Sequence, residues 1–178
     1  MKLSLVKLSS RSWMVAWMAL LSVAALAMLT TLTVFLVKEL RWQPLTPDQA
    51  YEELDPDMQP YPETGDVAPM ERPAGGGAAS FVCEAQVTVV LDEKRVSLMF
   101  ANPGRSLQNA VIELVVQDTV VAQSGRIDAG YRVTSLPLMS RAISERGIYQ
   151  GEIRMYFFDT ASGAQVVNTA CPVTVTVK

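Results

Sequence analysis

From Trp13 to Val37 the chain runs through twenty-five residues (37 − 13 + 1) without a charge. A helix rises about 1.5 Å per residue, so the run extends roughly 37 Å, enough to cross a hydrocarbon core of about 30 Å with some tilt. A transmembrane helix is therefore the first expectation. A cleaved signal peptide also begins with cations and apolar residues, but its apolar region is roughly 7 to 15 residues long and ends at a small-residue site. The only such site is Ala25-Leu26-Ala27, and Met28, Leu29, Leu32, Val34, Phe35, Leu36 and Val37 follow it. Cleavage there would leave an apolar stub, so the segment is read as a retained signal anchor.

The three tryptophans, Trp13, Trp17 and Trp42, all flank this run. With the helix continued to Trp42 the outer pair would lie about 43 Å apart, the separation of the two interfacial aromatic belts. Lys2, Lys7 and Arg11 precede the run and Lys38 and Arg41 follow it, which biases the N-terminus toward the cytoplasm. The larger part of the chain is then extracytoplasmic, at the cell membrane. Ala24, Ala27 and Thr31 form a small-residue stripe at helical spacing, a surface suited to a helix-mediated oligomer.

Beyond the run the composition changes. Between residues 43 and 80 lie seven prolines, from Pro44 to Pro73, and the run Gly75-Gly76-Gly77. Eight acids, Asp48, Glu52, Glu53, Asp55, Asp57, Glu63, Asp66 and Glu71, stand against Arg72 alone. Proline removes backbone donors and like charges stiffen a chain, so residues 38–80 read as a disordered, acidic, semi-extended stalk. Thr46, Pro47 and Asp48 have the chemistry to start one or two helical turns between Pro47 and Leu54. Tyr61-Pro62-Glu63-Thr64-Gly65 resembles the Leu-Pro-x-Thr-Gly sorting signal of Gram-positive surface proteins. Its first position differs, and the hydrophobic segment that should follow it lies upstream, so it is read as a turn.

Residues 81–178 alternate with period two. Val87, Val89 and Leu91, then Val96, Leu98 and Phe100, then Ile112, Leu114 and Val116 each mark one strand face, and Asp92-Glu93-Lys94 and Asn102-Pro103-Gly104 turn the chain between them. Further strands are expected near 119–123, 131–136, 148–158 and 166–177, with a short helix over 138–145. About seven strands predict an all-β, antiparallel, immunoglobulin-like β-sandwich, although the tryptophan of antibody domains is missing. Pro172 within the last strand removes a ladder donor, which suits an edge or a bulge where the strand changes partner. Cys83 shares the parity of Val87, and Cys171 that of Val173, so both should point inward from the first and last strands. They form a candidate disulfide, contributing roughly 4 to 5 kcal/mol by loop-closure entropy in an oxidising compartment.

Chemistry is narrowed by composition. The chain has no histidine and two cysteines, which leaves no Ser-His-Asp triad, histidine-ligated metal, thiolate cluster or histidine-bound haem. The glycine run lacks the lysine and hydroxyl residue of a phosphate loop. Asp92 with Glu93 and Asp118 with Asp128 are the carboxylate pairs, and both sit beside turns. In residues 81–178 nine cations balance nine acids with no basic run, which argues against nucleic acid. Tyr131, Tyr149 and Tyr156 are candidates for a binding face. No enzyme, cofactor or metal is expected. The layout of basic tail (1–12), anchor (13–37), stalk (38–80) and β-domain (81–178) resembles that of many bacterial single-pass surface proteins. It implies a binding or adhesion module for a protein or glycan, or alternatively an accessory subunit of an envelope assembly such as a secretion, conjugation or pilus apparatus.

Overall fold

The computed structural model describes residues 10–40, 44–62, 68, 70–71, 78–139 and 143–178. Contacts divide the chain into two units, Met1–Trp42 and Gln43–Lys178.

The first unit holds α1, Ser10–Leu40, a 31-residue helix. It is apolar all round, with Leu20, Leu21, Val23, Leu26, Met28, Leu29 and Leu32 all exposed. The small-residue stripe folds back on its own helix: the Thr31 hydroxyl donates to Ala27 O at 3.0 Å and Met28 O at 2.9 Å. Trp13 and Trp17 lie one turn apart with ring centroids 6.1 Å from each other. The helix ends at Leu40, short of Trp42, which lies outside the described residues together with the first nine residues. Among the described residues no helix is long and apolar enough to cross a membrane. Within α1 the side chains are described without a break only over 20–34, fifteen residues (34 − 20 + 1), or about 22 Å of helix.

The second unit is mostly β-sheet. Its strands are β1 Gln59–Pro60, β2 Val82–Cys83, β3 Gln86–Val90, β4 Arg95–Asn102, β5 Gln108–Val116, β6 Thr119–Gln123, β7 Tyr131–Pro137, β8 Gly147–Asp159 and β9 Gln165–Val177. Seven of these match the alternating runs of the sequence; β1 and β2, two residues each, carry no periodic signal. The strands order as β1-β7-β4-β3-β9-β8-β5-β6, with β2 also on β4. The expected short helix over 138–145 is absent from the described part of that segment, and residues 140–142 lie outside the described residues.

The expectation of an antiparallel fold is corrected at one seam. Strand β3 pairs with β9 in parallel, so the sheet is mixed. Hairpins force chain neighbours to run antiparallel, but no hairpin joins β3 to β9, and their direction follows from how the sheet curls. The curl brings the far edges together, where Met139 N donates to Val121 O at 2.8 Å and Ala110 bridges Ile127. Inside it lies one core, built on Val87, Val89, Val96, Leu98, Phe100, Ile112, Leu114, Val133, Leu136, Ile153, Met155, Phe157, Val173 and Val175. Val87, Val89, Val96, Leu98, Phe100, Ile112, Leu114, Val173 and Val175 are inward positions that the alternation marked, whereas Val133 and Leu136 differ in parity and both reach the core beside a register shift between β4 and β7.

The stalk is corrected as well, because residues 44–62 belong to the folded unit. Thr46 caps α2, Pro47–Tyr51, in a full capping box with Gln49, and Pro47 occupies its first turn. Ala50 is buried against Val111 and Phe158, and the Tyr51 ring stacks on Phe158 at 4.3 Å. Further on, Leu54 bridges Arg126, Asp55 is buried, and Gln59 and Pro60 pair with Arg132 and Tyr131. Composition missed this strap because four side chains, Ala50, Tyr51, Asp55 and Met58, carry its docking, and they are scattered among acids and prolines.

Candidate functional site

Outward positions of β5, β8 and β9 make the second face of the sheet. The pairs Val111↔Tyr156, Glu113↔Arg154 and Val115↔Glu152 set β5 beside β8, while Tyr156↔Asn168, Arg154↔Ala170 and Glu152↔Pro172 set β8 beside β9. The strap covers one end of this face, over Val111 and Phe158.

Beside the strap lies a polar cluster. Glu113 is buried, and its carboxylate accepts from Gln123 Nε2 at 2.9 Å and from the Tyr156 hydroxyl at 3.0 Å. Gln123 in turn holds the strap: its Nε2 donates to Leu45 O at 2.7 Å and its Oε1 accepts from Leu45 N at 2.9 Å. Burial, reinforced by the neighbouring Glu113, pushes the Tyr156 phenol above its ordinary range, so it stays a donor at neutral pH. Arg154 Nε donates to Glu152 Oε1 at 2.6 Å, and that contact raises the arginine further.

Two shallow concavities flank the cluster. One, of about 240 Å³, is lined by Arg154, Tyr156, Asn168, Thr169 and Ala170. The other, of about 310 Å³, is lined by Val115, Gln117, Asp118, Gln150, Gly151, Glu152 and Pro172. A guanidinium, a phenol and an amide on one open face can hydrogen-bond a polar ligand and stack against it.

The tyrosines grouped by the sequence separate by parity. Tyr131 and Tyr149 pack against the inner core, and the Tyr149 hydroxyl donates to Glu145 O at 3.0 Å. Tyr156 alone of the three packs against the strap side. The carboxylate pairs stay at turns: Asp92 is exposed, 3.7 Å from Arg146, and Asp128 pairs with Arg126 at 2.9 Å. Asp118 sits in the β5–β6 turn with φ 59°. Among the described residues no three acids or cysteines gather as a metal site. The site residues that sequence reasoning missed are Glu113, Gln123 and Arg154. Their outward parity on β5, β6 and β8 was readable, but the strap that buries Glu113 was not.

Cys83 and Cys171 do meet. Their thiols lie within hydrogen-bonding reach of each other, each half-buried against the core. Between β2 and β3 the register against β4 shifts by two residues, which preserves side-chain parity and leaves Cys83 on the face of Val87.

Comparison of the chain with protein-family models, with curated proteins and with solved structures gives no match.

Proposed function

We propose that the chain is a single-pass membrane protein whose β-domain works outside the cytoplasm as a non-enzymatic binding or adhesion module. In this reading α1 is a retained signal anchor, the N-terminus is cytoplasmic, and the folded unit that begins at Gln43 is extracytoplasmic. The uncharged run of twenty-five residues inside the 31-residue helix supports the anchor. The domain is read as an immunoglobulin-like sandwich. The curled sheet, with the β8–β9 hairpin between β5 and β3 and with β4 and β7 beyond β3, supports that reading.

The observation that carries the binding function is the open face of β8 and β9, where Arg154, Tyr156, Asn168 and Thr169 line one concavity. A carboxylate-bearing peptide or glycan fits this chemistry, because a guanidinium pairs with carboxylates and a phenol ring stacks on flat apolar surfaces. Two measurements test the reading. Protease applied to intact cells should remove the β-domain, and protection of the domain would sink the topology. Full-length protein in detergent, immobilised beside its Arg154→Ala and Tyr156→Ala variants, should capture envelope material that both variants lose. Equal capture by all three would remove this face from consideration.

A further inference from the structure

The ladder between β3 and β9 carries a register that extends past its own end. Gln86↔Thr174, Val87↔Val175, Thr88↔Thr176 and Val89↔Val177 share an offset of 88, and Thr174 N donates to Ala85 O at 2.8 Å one step earlier. Cys83 lies just before that ladder, in β2 opposite Phe100, and Cys171 lies just before it in β9; both pack on the same core, and their thiols are within hydrogen-bonding reach.

We propose that Cys83 and Cys171 form an intramolecular disulfide that staples the first strand of the domain to its last. The position adds a physical reason. Even-numbered residues of β9 turn their N–H toward β3, as Thr174 and Lys178 do, and Pro172 in that series has no N–H to give. The bridge therefore sits where the hydrogen-bonded ladder stops. It closes a loop of 89 residues (171 − 83 + 1), so it removes much of the freedom of the unfolded chain. Each Sγ now points at a carbonyl of its own strand, Glu84 O at 3.6 Å and Pro172 O at 3.8 Å, weak contacts that a bridge gives up at little cost.

The chemistry is thiol–disulfide exchange with a disulfide donor, such as an oxidised thiol oxidoreductase or glutathione disulfide. One cysteine thiolate attacks the donor, forming a mixed disulfide and releasing one donor thiol. The second cysteine attacks the mixed disulfide, the Sγ–Sγ bond forms and the other donor thiol leaves. Two protons are lost and two electrons reduce the donor to thiols. The pairing rests on geometry alone; its being oxidised in the cell rests on the extracytoplasmic reading above.

Reduced full-length protein in detergent is incubated with glutathione disulfide, quenched with an alkylating agent and digested without reduction. The expected product is a cross-linked peptide pair containing Cys83 and Cys171, with an unchanged circular dichroism spectrum and a higher Tm that reductant reverses. The Cys83→Ser variant should instead carry glutathione at Cys171. Glutathione on both cysteines of the native chain without a cross-link would overturn the proposal. A second arm blocks thiols at the moment of cell lysis. A bridge in that sample supports the proposal. Free thiols there, in a protein that bridges readily with glutathione disulfide, leave the pairing standing and overturn the extracytoplasmic reading.

Discussion

The side-chain amide of Gln123 holds the backbone of Leu45 by both its groups, donating to the carbonyl at 2.7 Å and accepting from the N–H at 2.9 Å. This two-point contact replaces a strand partner. It lets the edge strand β6 receive a segment seventy-eight positions earlier in the chain, and it brings the buried Glu113 within reach of Gln123 Nε2.

Replacing Gln123 by alanine removes both contacts and leaves Glu113 with one donor in a buried place. The loss should be about 1–3 kcal/mol of domain stability, and the strap should become cleavable by protease within residues 44–62. Unchanged resistance at those residues would show that Gln123 does not hold the strap.

Gly125 lies under the strap with no room for a side chain. A Cβ there would stand 2.6 Å from Glu53 O and 2.8 Å from Asp55 N. Gly125→Ala should therefore displace the strap and cost about 1–3 kcal/mol, as overpacking does. Denaturant midpoints measure it, and a variant as stable as the parent would refute the contact.

Asp55 gives the strap a pH dependence. Burial raises its carboxyl above the ordinary 3.8, against the pull of hydrogen bonds from Asp57 N and Gly125 N. A folded pKa above the unfolded one stabilises at low pH, and that contribution is lost as pH rises through the folded value. The stability advantage of the parent over Asp55→Asn, whose side chain does not titrate, should be largest at or below about pH 4. It should shrink toward neutrality, and an advantage that grows with pH would contradict the burial argument.

In the reduced protein, burial and then the neighbouring Cys171 and Glu84 push the Cys83 thiol from 9.0 up to about 12. At pH 8 its thiolate fraction is about a thousandfold below that of an exposed thiol, so alkylation of the folded chain at Cys83 should be slow and should keep accelerating beyond pH 10. By the same linkage, the reduced domain keeps this contribution below about pH 9 and loses it as pH approaches 12. A rate that levels off near pH 9 would place Cys83 in solvent.

Much of the β-domain was legible because it rests on local signals. Alternation at Val87 and Val89, at Ile112 and Leu114, and at Val173 and Val175 marks the buried face, since successive strand residues point to opposite sides. Pro172 was expected at an edge or a change of partner, and the register places it where β9 leaves β3. The strap escaped notice because its capping box at Thr46 and Gln49 announces a helix without announcing what that helix packs on. Acids and prolines dominate its composition, yet Ala50, Tyr51 and Asp55 decide its place.

The sequence by itself determined the uncharged run inside the long helix, the positions of seven strands and the inward parity of both cysteines, all of them properties of residues close together along the chain. Only the tertiary structure decided that β3 runs parallel to β9, that Cys83 faces Cys171, that Glu113 is buried under the strap, and that Tyr156 parts company with Tyr131 and Tyr149. Each of these joins residues far apart in the chain, and the cost of closing such loops is met by the summed burial of the whole curled sheet, which no local pattern encodes.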